Sequence, residues 1–257
     1  MKEKKLSRFH YFCLSGFGLL GALLLWSLLT LIVPPLFLVS PHAVALSLCN
    51  LYQTGVLLPD IGASLLRIFL GMLFSFCVAF PVGILLGVSK KFEAIVEPLL
   101  AFIRYIPPSA FIPLAIVWFG IGEVEKVSII FLGIAPYLTL LIADMAANAR
   151  SELIDVALTL GASRDQVIRK IVNSSAMPGI WDALRIMTGS AWTFVIIAEI
   201  VGASSGLGFL MTESQRFLRT DAIFATIVVL GVLGLATDYF FKFSYRLFFP
   251  WTEKSHA

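Results

Sequence analysis

Charged residues and metal-binding side chains are scarce in this 257-residue chain. Only 14% of the residues are charged, and none of them lies between Tyr11 and Pro59. The three cysteines, Cys13, Cys49 and Cys77, are widely spaced in or beside apolar stretches, and no histidine has a neighbouring ligand. This pattern argues against a disulfide framework and a metal site. Phosphate-loop, serine-hydrolase and zinc-protease motifs are also lacking. Any chemistry that powers this protein therefore comes from elsewhere.

Apolar residues dominate what is present. They make up 59% of the chain, and the mean hydropathy of +0.93 is far above that of an ordinary soluble domain. A membrane-spanning helix needs about 20 such residues. The sequence therefore predicts an all-α polytopic membrane protein with one domain, residues 1–257, and six spans, the first of them retained and not cleaved as a signal peptide. The predicted spans are residues 12–33, 61–88, 98–119, 127–147, 184–203 and 222–243.

Positive charges are distributed unevenly between the two predicted sides of the membrane. With the amino terminus inside, 15 lysines and arginines fall on the cytoplasmic side, Arg104 and Arg185 among them. The other side holds four: Arg67, Lys126, Arg216 and Arg219. The positive-inside rule then predicts that both termini are cytoplasmic. The net charge of +3 needs no nucleic acid to explain it, so the expected surroundings are membrane lipid.

Residues 151–180, SELIDVALTLGASRDQVIRKIVNSSAMPGI, form the only long polar interruption. Apolar positions recur at helical spacing in its first ten residues, which predicts a short amphipathic helix. Gly161 is suited to end that helix, and Ser163 with Gln166 makes a capping box that starts a second one. Pro178 is expected to close the second helix and let a new one begin. A simple connector along the membrane surface would have the same pattern, so the pattern alone leaves the role open.

The same segment resembles a known family motif. Asp155-Val156-Ala157, followed after three residues by Gly161-Ala162-Ser163 and later by Pro178, is similar to the EAA motif of permease subunits in binding-protein-dependent ABC importers. Together with further segments, it resembles the branch that carries taurine, aliphatic sulfonates, nitrate, bicarbonate and thiamine-precursor pyrimidines. The further segments are SLLRI around Arg67, PVGILLG at 81–87, RYIPPSAFIPLAIVWFGIGE at 104–123, AEIVGASSGLGFL at 198–210 and FLRTD at 217–221.

The resemblance implies a type I importer permease in the bacterial cytoplasmic (inner) membrane. It implies a homodimer, two separate ATPase subunits that use ATP and Mg²⁺, and a periplasmic or lipid-anchored substrate-binding protein. The permease itself would be no enzyme and would carry no cofactor or metal. Asp155 replaces the usual Glu, Val156 the first Ala, and Asn173-Ser174 a common Leu-Pro pair. The cytoplasmic coupling helices at 151–180 would act through Asp155, Ala157, Gly161, Ala162, Ser163 and Pro178.

Three prolines, Pro107, Pro108 and Pro113, interrupt the third predicted span. Each removes a backbone donor, so a broken or kinked helix is expected there. The break could expose carbonyl groups to a translocation path, or it could be a structural kink that neighbouring helices fill. Aromatic residues have the same ambiguity between lining the path and packing. The candidates for the path in this group are Tyr105, Pro107, Pro108, Trp118 and Trp192.

Two charged residues are further candidates for the path. Glu199 lies among apolar residues, where a carboxylate must face a partner, the protein interior or water. It could contact cargo, or it could have a structural or gating role, paired with Arg67, Arg104 or Arg185. Arg67 is expected near the outer end of the second span, where it could attract an anion or extend toward the interface.

The segment 202–221 is expected to face outside. Its glycines permit tight turns and its polar run suits docking, so Gly206, Gly208, Glu213 and Arg216 are candidates for contact with the binding protein, although a solvated loop explains them equally well. Two other functional classes remain open from the residues alone. An ion-coupled secondary transporter would favour inverted repeats and intramembrane ionisable relays, and a membrane scaffold would need no docking helices.

Overall fold

A computed structural model describes residues 8–149 and 151–252, and within these ranges the fold is helical. The all-α prediction is therefore confirmed. The α-helices are α1 Arg8–Leu29, α2 Pro41–Gln53, α3 Leu57–Val88, α4 Lys90–Arg104, α5 Ile112–Phe119, α6 Glu123–Ala147, α7 Ser151–Thr159, α8 Arg164–Val167, α9 Asn173–Ile200, α10 Leu207–Arg216 and α11 Thr220–Phe248.

The chain divides into two compact units. The first combines Met1–Leu58 with Leu210–Val229, and the second combines Pro59–Phe209 with Leu230–Ala257. In the first unit, the Trp26 indole donates to the carbonyl of Val39 at 3.0 Å, and the hydroxyl of Thr220 donates to the carbonyl of Leu36 at 2.8 Å. These bonds tie the segment after α1 to its neighbours. That the chain forms one permease domain stays a prediction.

Among the described residues, four helical segments are long and apolar enough to cross a membrane: α3, α6, the helix Arg164–Ile200 and α11. Lys90–Arg104 and Pro108–Phe119 pass the same test together, but the two parts meet at 88°. They add a fifth span if the pair is one broken span. Helix α1, Arg8–Leu29, occupies the place of the first predicted span, and its part Gly16–Leu29 is apolar. The count of six therefore stays a prediction.

The predicted helix break at Pro178 is wrong. Helix α8 continues through a π-helical turn, Ile168–Val172, into α9, so Arg164–Ile200 is one helix of 37 residues with Pro178 inside it. A proline removes one backbone donor, but its fixed φ is compatible with a helix, and packing of neighbouring helices keeps the chain in place. Because Gly179 has no Cβ, Met145 of α6 can approach closely at this level. An added Cβ would clash with the Met145 sulfur. Tertiary packing thus overrides the local break signal.

A stripe of small residues lets α3 approach α6 closely. An added Cβ on Gly83 would lie 2.7 Å from the carbonyl oxygen of Thr139, and one on Gly87 would lie 2.6 Å from that of Ala143. Membrane helices use such stripes because close backbone approach replaces the missing hydrophobic driving force. The stripe recurs at every fourth residue: Gly71, Ser75, Ala79, Gly83 and Gly87.

We expect Gly83→Ala to destabilise the fold, because the new methyl group would meet the backbone of α6. Overpacking of this kind costs about 1 to 3 kcal/mol. The matched control is Gly62→Ala in the same helix, where no atom lies within 4 Å of an added Cβ. Thermal unfolding of the purified protein in detergent should show a lower midpoint for the first variant only. Equal midpoints for both variants would contradict close α3–α6 packing.

Candidate functional site

The turn between α7 and α8 is built by backbone hydrogen bonds. The N–H of Gly161 donates to the carbonyl of Leu158, and that of Ala162 donates to Ala157, both at 3.0 Å. This pair of hydrogen bonds requires a residue in the left-handed conformation, and Gly161 has φ 86°. No atom lies within 4 Å of an added Cβ at this position, so the constraint is on backbone conformation and not on space.

The predicted capping box starts α8. The backbone N–H of Gln166 donates to the hydroxyl oxygen of Ser163 at 3.3 Å, and the N–H of Ser163 donates to the Gln166 side chain at 2.9 Å. Arg169 adds an exposed ion pair to Asp165 at 3.0 Å. The two helices therefore meet in a locally determined bend, as the sequence predicts.

One exposed edge of this helix pair is apolar. Leu153, Val156 and Leu160 are exposed, and Leu160 is 82% accessible. Asp155 is exposed beside them, whereas Val167 is buried against its own chain. An exposed apolar edge with a charge at its border is the composition of a surface that another protein covers.

The proline-rich segment breaks the helix, as predicted. Helix α4 ends at Arg104, Pro107 is extended, and a 3₁₀ turn, Pro108–Phe111, leads into α5. Tyr105 and Trp118 are exposed in the single chain. Pro107 is also exposed and Pro108 is partly buried.

Trp192, the other aromatic candidate for the path, is buried in α9. Its indole N–H donates to the hydroxyl of Thr237 in α11 at 3.3 Å. Nearby, Arg185 pairs with Asp238, which also accepts a bond from Lys242 at 2.7 Å. The structure therefore engages Trp192 in contacts between helices of the second unit.

Arg67 is the centre of a buried polar cluster. Its side chain donates to Glu123 through two nitrogens, at 2.7 and 2.6 Å, and to Glu199 at 2.8 Å. It also donates to the carbonyl of Ser205 at 2.8 Å. Arg67 and Glu199 are each 1% exposed. Of the three partners proposed for Glu199, the structure selects Arg67, which neither extends to an interface nor lies open to an anion.

Three consecutive N–H groups after α9 complete this Arg67 cluster. The N–H of Gly206 donates to Asp60 at 2.8 Å, and that of Leu207 donates to Ser64 at 2.9 Å. The N–H of Gly208 donates to Glu199 at 2.8 Å. The Ser64 hydroxyl also donates to Glu199 at 2.7 Å. The cluster thus joins the first turns of α3 and α6 to the end of α9. Its members are Asp60, Ser64, Arg67, Glu123, Glu199 and residues 205–208.

Gly206 and Gly208 are therefore buried parts of the Arg67 cluster. Gly206 has φ 112°, and an added Cβ would lie 2.6 Å from a guanidinium nitrogen of Arg67. Of the four residues expected at a docking surface, Glu213 and Arg216 are exposed, both on α10. The two glycines indicate turns in the sequence, but nothing beside them indicates the carboxylates that those turns approach.

The residues predicted for this site did not include Asp60, Ser64 and Glu123. A signal was present, because Asp60, Ser64 and Arg67 follow the i, i+4, i+7 spacing of one helix face in an otherwise apolar stretch. Glu123 had no such signal. It starts α6, and only the fold brings it to α3.

We expect Glu199→Gln to destabilise the protein far more than Glu123→Gln. Gln keeps the shape and the acceptor for Ser64 but leaves the buried Arg67 charge without its buried partner, and breaking such a pair costs about 3 to 5 kcal/mol. The Glu123 side chain is 64% exposed, so its loss should cost less than about 1 kcal/mol. Thermal unfolding in detergent measures both variants. Similar midpoints would show that Glu199 does not carry the cluster.

Comparison with known proteins supports one family. The family described as "Binding-protein-dependent transport system inner membrane component" matches residues 79–254. The taurine transport system permease protein TauC of Escherichia coli K12 is 33% identical over 88% of this chain and 84% of its own length. SsuC of Bacillus subtilis 168, whose name assigns it provisionally to aliphatic sulfonate transport, is 31% identical over 86% of this chain and 80% of its own.

A solved structure supports the fold. A chain of the MetNI methionine ABC transporter in an inward-facing conformation superposes with a TM-score of 0.70 at 22% identity, covering 76% of this chain and 97% of the other. In this family, the ATPase activity lies in a separate subunit. The chain therefore belongs to the binding-protein-dependent transport system inner membrane components, and it is the transmembrane permease subunit of an ABC importer.

Proposed function

We propose that this permease imports a small anion bearing a sulfonate group, such as taurine. The names of TauC and SsuC support this cargo class, because both relatives align over more than four fifths of the chain. Nitrate, bicarbonate or a thiamine-precursor pyrimidine is the alternative cargo, and an ion-coupled transporter is the alternative mechanism. The observation that carries the importer mechanism is the ordered α7–α8 turn with its exposed apolar edge.

The coupling helices at 151–180 dock in a cleft of the partner ATPase subunit, which binds ATP and Mg²⁺. Leu153, Val156 and Leu160 supply apolar surface for that contact, and Asp155 supplies a charge at its border. Gly161, Ala162 and the Ser163 capping box hold the angle between the two helices. ATP binding closes the ATPases, draws the helix pairs of a permease homodimer together and turns the path outward.

The continuity of Arg164–Ile200 gives this movement a direct route. One helix of 37 residues, roughly 55 Å long, begins in the docking pair and ends at Glu199 in the Arg67 cluster. A displacement at the docking end therefore shifts the cluster at the far end. A break at Pro178 would have separated the two ends.

The proposed orientation places both termini and the coupling helices in the cytoplasm of a bacterial inner membrane. The charge bias does not depend on Arg185, which pairs with Asp238 within the second unit, or on Arg104, which lies beside Tyr137 in the middle of α6. Removing these two from 15 leaves 13 against four, so the bias persists. The other side, with Glu213 and Arg216 exposed on α10, would meet a periplasmic or lipid-anchored binding protein.

We expect Gly161→Val to weaken the contact between the permease and the ATPase, so that both uptake and ATPase stimulation fall. A β-branched residue is strained at φ 86°, whereas Asn tolerates the left-handed region, so Gly161→Asn is the matched control. Permease, ATPase and binding protein are reconstituted in liposomes, and ATP-driven taurine uptake and ATPase stimulation are measured together. Taurine uptake and ATPase stimulation should both fall at least tenfold in the Val variant. The Asn variant should retain most of each activity.

Two outcomes would contradict the proposed function. Full uptake by Gly161→Val would show that the turn does not couple the subunits. Uptake by the wild-type permease alone, driven by an ion gradient without the ATPase, would assign the chain to secondary transport.

A further inference from the structure

Arg104 is a cation at the break in the third helical segment. It is the last residue of α4, and its guanidinium carbon lies 5.1 Å from the ring centre of Tyr105 and 5.9 Å from that of Tyr137. One of its nitrogens donates to the Tyr105 hydroxyl at 3.3 Å. No carboxylate lies within ion-pair distance of Arg104 in the described ranges.

In the described part of the second unit, the other cations that are buried or half-buried are paired with carboxylates. Arg67 has Glu123 and Glu199, and Lys126 has Glu125 at 3.3 Å. Arg185 has Asp238. Where a charge serves packing, this chain supplies a counter-charge. Arg104 has aromatic rings instead, which hold a guanidinium in place without cancelling its charge.

The depth of Arg104 makes the lack of a carboxylate significant. Tyr137 lies 14 residues after Glu123 and 10 residues before Ala147 in α6. At 1.5 Å per residue, about 21 Å and about 15 Å of helix separate it from the two ends. The guanidinium beside Tyr137 therefore lies level with the middle third of α6, a helix long and apolar enough to cross a membrane. This level differs from the cytoplasmic side to which the charge distribution assigns Arg104.

An unneutralised charge at this depth must face water or a ligand, because hydrocarbon excludes it. Tyr105 is 76% exposed in the single chain, so the group is open on one side. Helix α4 ends at Arg104, and the next helical part, Pro108–Phe119, turns away by 88°. A planar guanidinium presents paired donors that match the oxygens of a sulfonate, and the tyrosine hydroxyl adds a further polar group.

We propose that Arg104, held by Tyr105 and Tyr137, contacts the anionic group of the cargo in the translocation path. This inference rests on the proposed import of a small anion. It assigns the choice of an anion to a residue of the permease and not to the binding protein alone. Tyr105 and Tyr137 act as positioning residues, since they orient the guanidinium.

The test compares Arg104→Gln with Arg246→Gln in the complete transporter. Arg246 is an exposed arginine in the last turn of α11 and provides the same chemical change away from the break. Radiolabelled taurine is the probe, and ATPase stimulation by the loaded binding protein is recorded in the same liposomes. Losing a hydrogen-bonded charge contact should reduce taurine uptake by roughly 10- to 100-fold for Arg104→Gln, with ATPase stimulation retained. Arg246→Gln should match the wild type.

A second variant separates charge from folding. Arg104→Cys is made in a protein whose Cys13, Cys49 and Cys77 are replaced by alanine, and it is then modified with either a cationic or an anionic methanethiosulfonate reagent. Uptake should recover with the cationic group and not with the anionic one. Recovery with both groups, or with neither, would overturn the proposal.

Three results distinguish this proposal from the proposed function. If wild-type and Arg104→Gln transporters import taurine equally, the role of Arg104 is refuted and the cargo class stands. If the wild type imports a neutral pyrimidine and no anion, the proposed cargo class is refuted. The proposed contact of Arg104 with an anion is then refuted as well. If Arg104→Gln separates the permease dimer on size-exclusion chromatography with light scattering, the residue is a subunit contact and the proposal is refuted.

Discussion

The buried ion pair between Arg67 and Glu199 is the interaction on which the rest of the structure depends. Burial inside the protein penalises each charge separately, so neither residue is tolerated without the other. Their pairing, at 2.8 Å, draws the first turns of α3 and the end of α9 together, and Gly206 and Gly208 supply the close backbone approach that the carboxylate requires. Around this one contact lie Gly206, Gly208, Ser64 and the second carboxylate, Glu123.

The same pair gives the long helix a fixed far end. Arg164–Ile200 runs from the Ser163 cap, at the surface proposed to meet the ATPase, to Glu199. A helix held at one end by a buried cluster and bound at the other by a partner can transmit displacement, because its backbone hydrogen bonds resist bending. The broken segment at Pro107 has the opposite property, since α4 ends at Arg104 and the next helical part turns away by 88°.

Local features were predictable from the sequence, and distant contacts were not. The turn at Gly161 and the capping box at Ser163 depend on a few adjacent residues, so their spacing suffices. The fate of Pro178 depends on how α9 packs on α6, which no local signal contains. The partner of Glu199 had three candidates, because Arg67 lies 132 positions away in the sequence and only the fold brings the two together. The i, i+4, i+7 spacing of Asp60, Ser64 and Arg67 could have indicated the cluster.

The central claim is that one unbroken helix links the ATPase end to the Arg67 cluster. Its most direct test measures how fast an impermeant maleimide labels Ser205→Cys in the assembled transporter, with the native cysteines replaced, before and after trapping with ATP and vanadate. The account predicts that trapping changes the labelling rate, and that two glycines inserted after Asp182 abolish the change although the ATPase remains bound. A nucleotide-dependent change that survives the insertion would contradict the mechanical link.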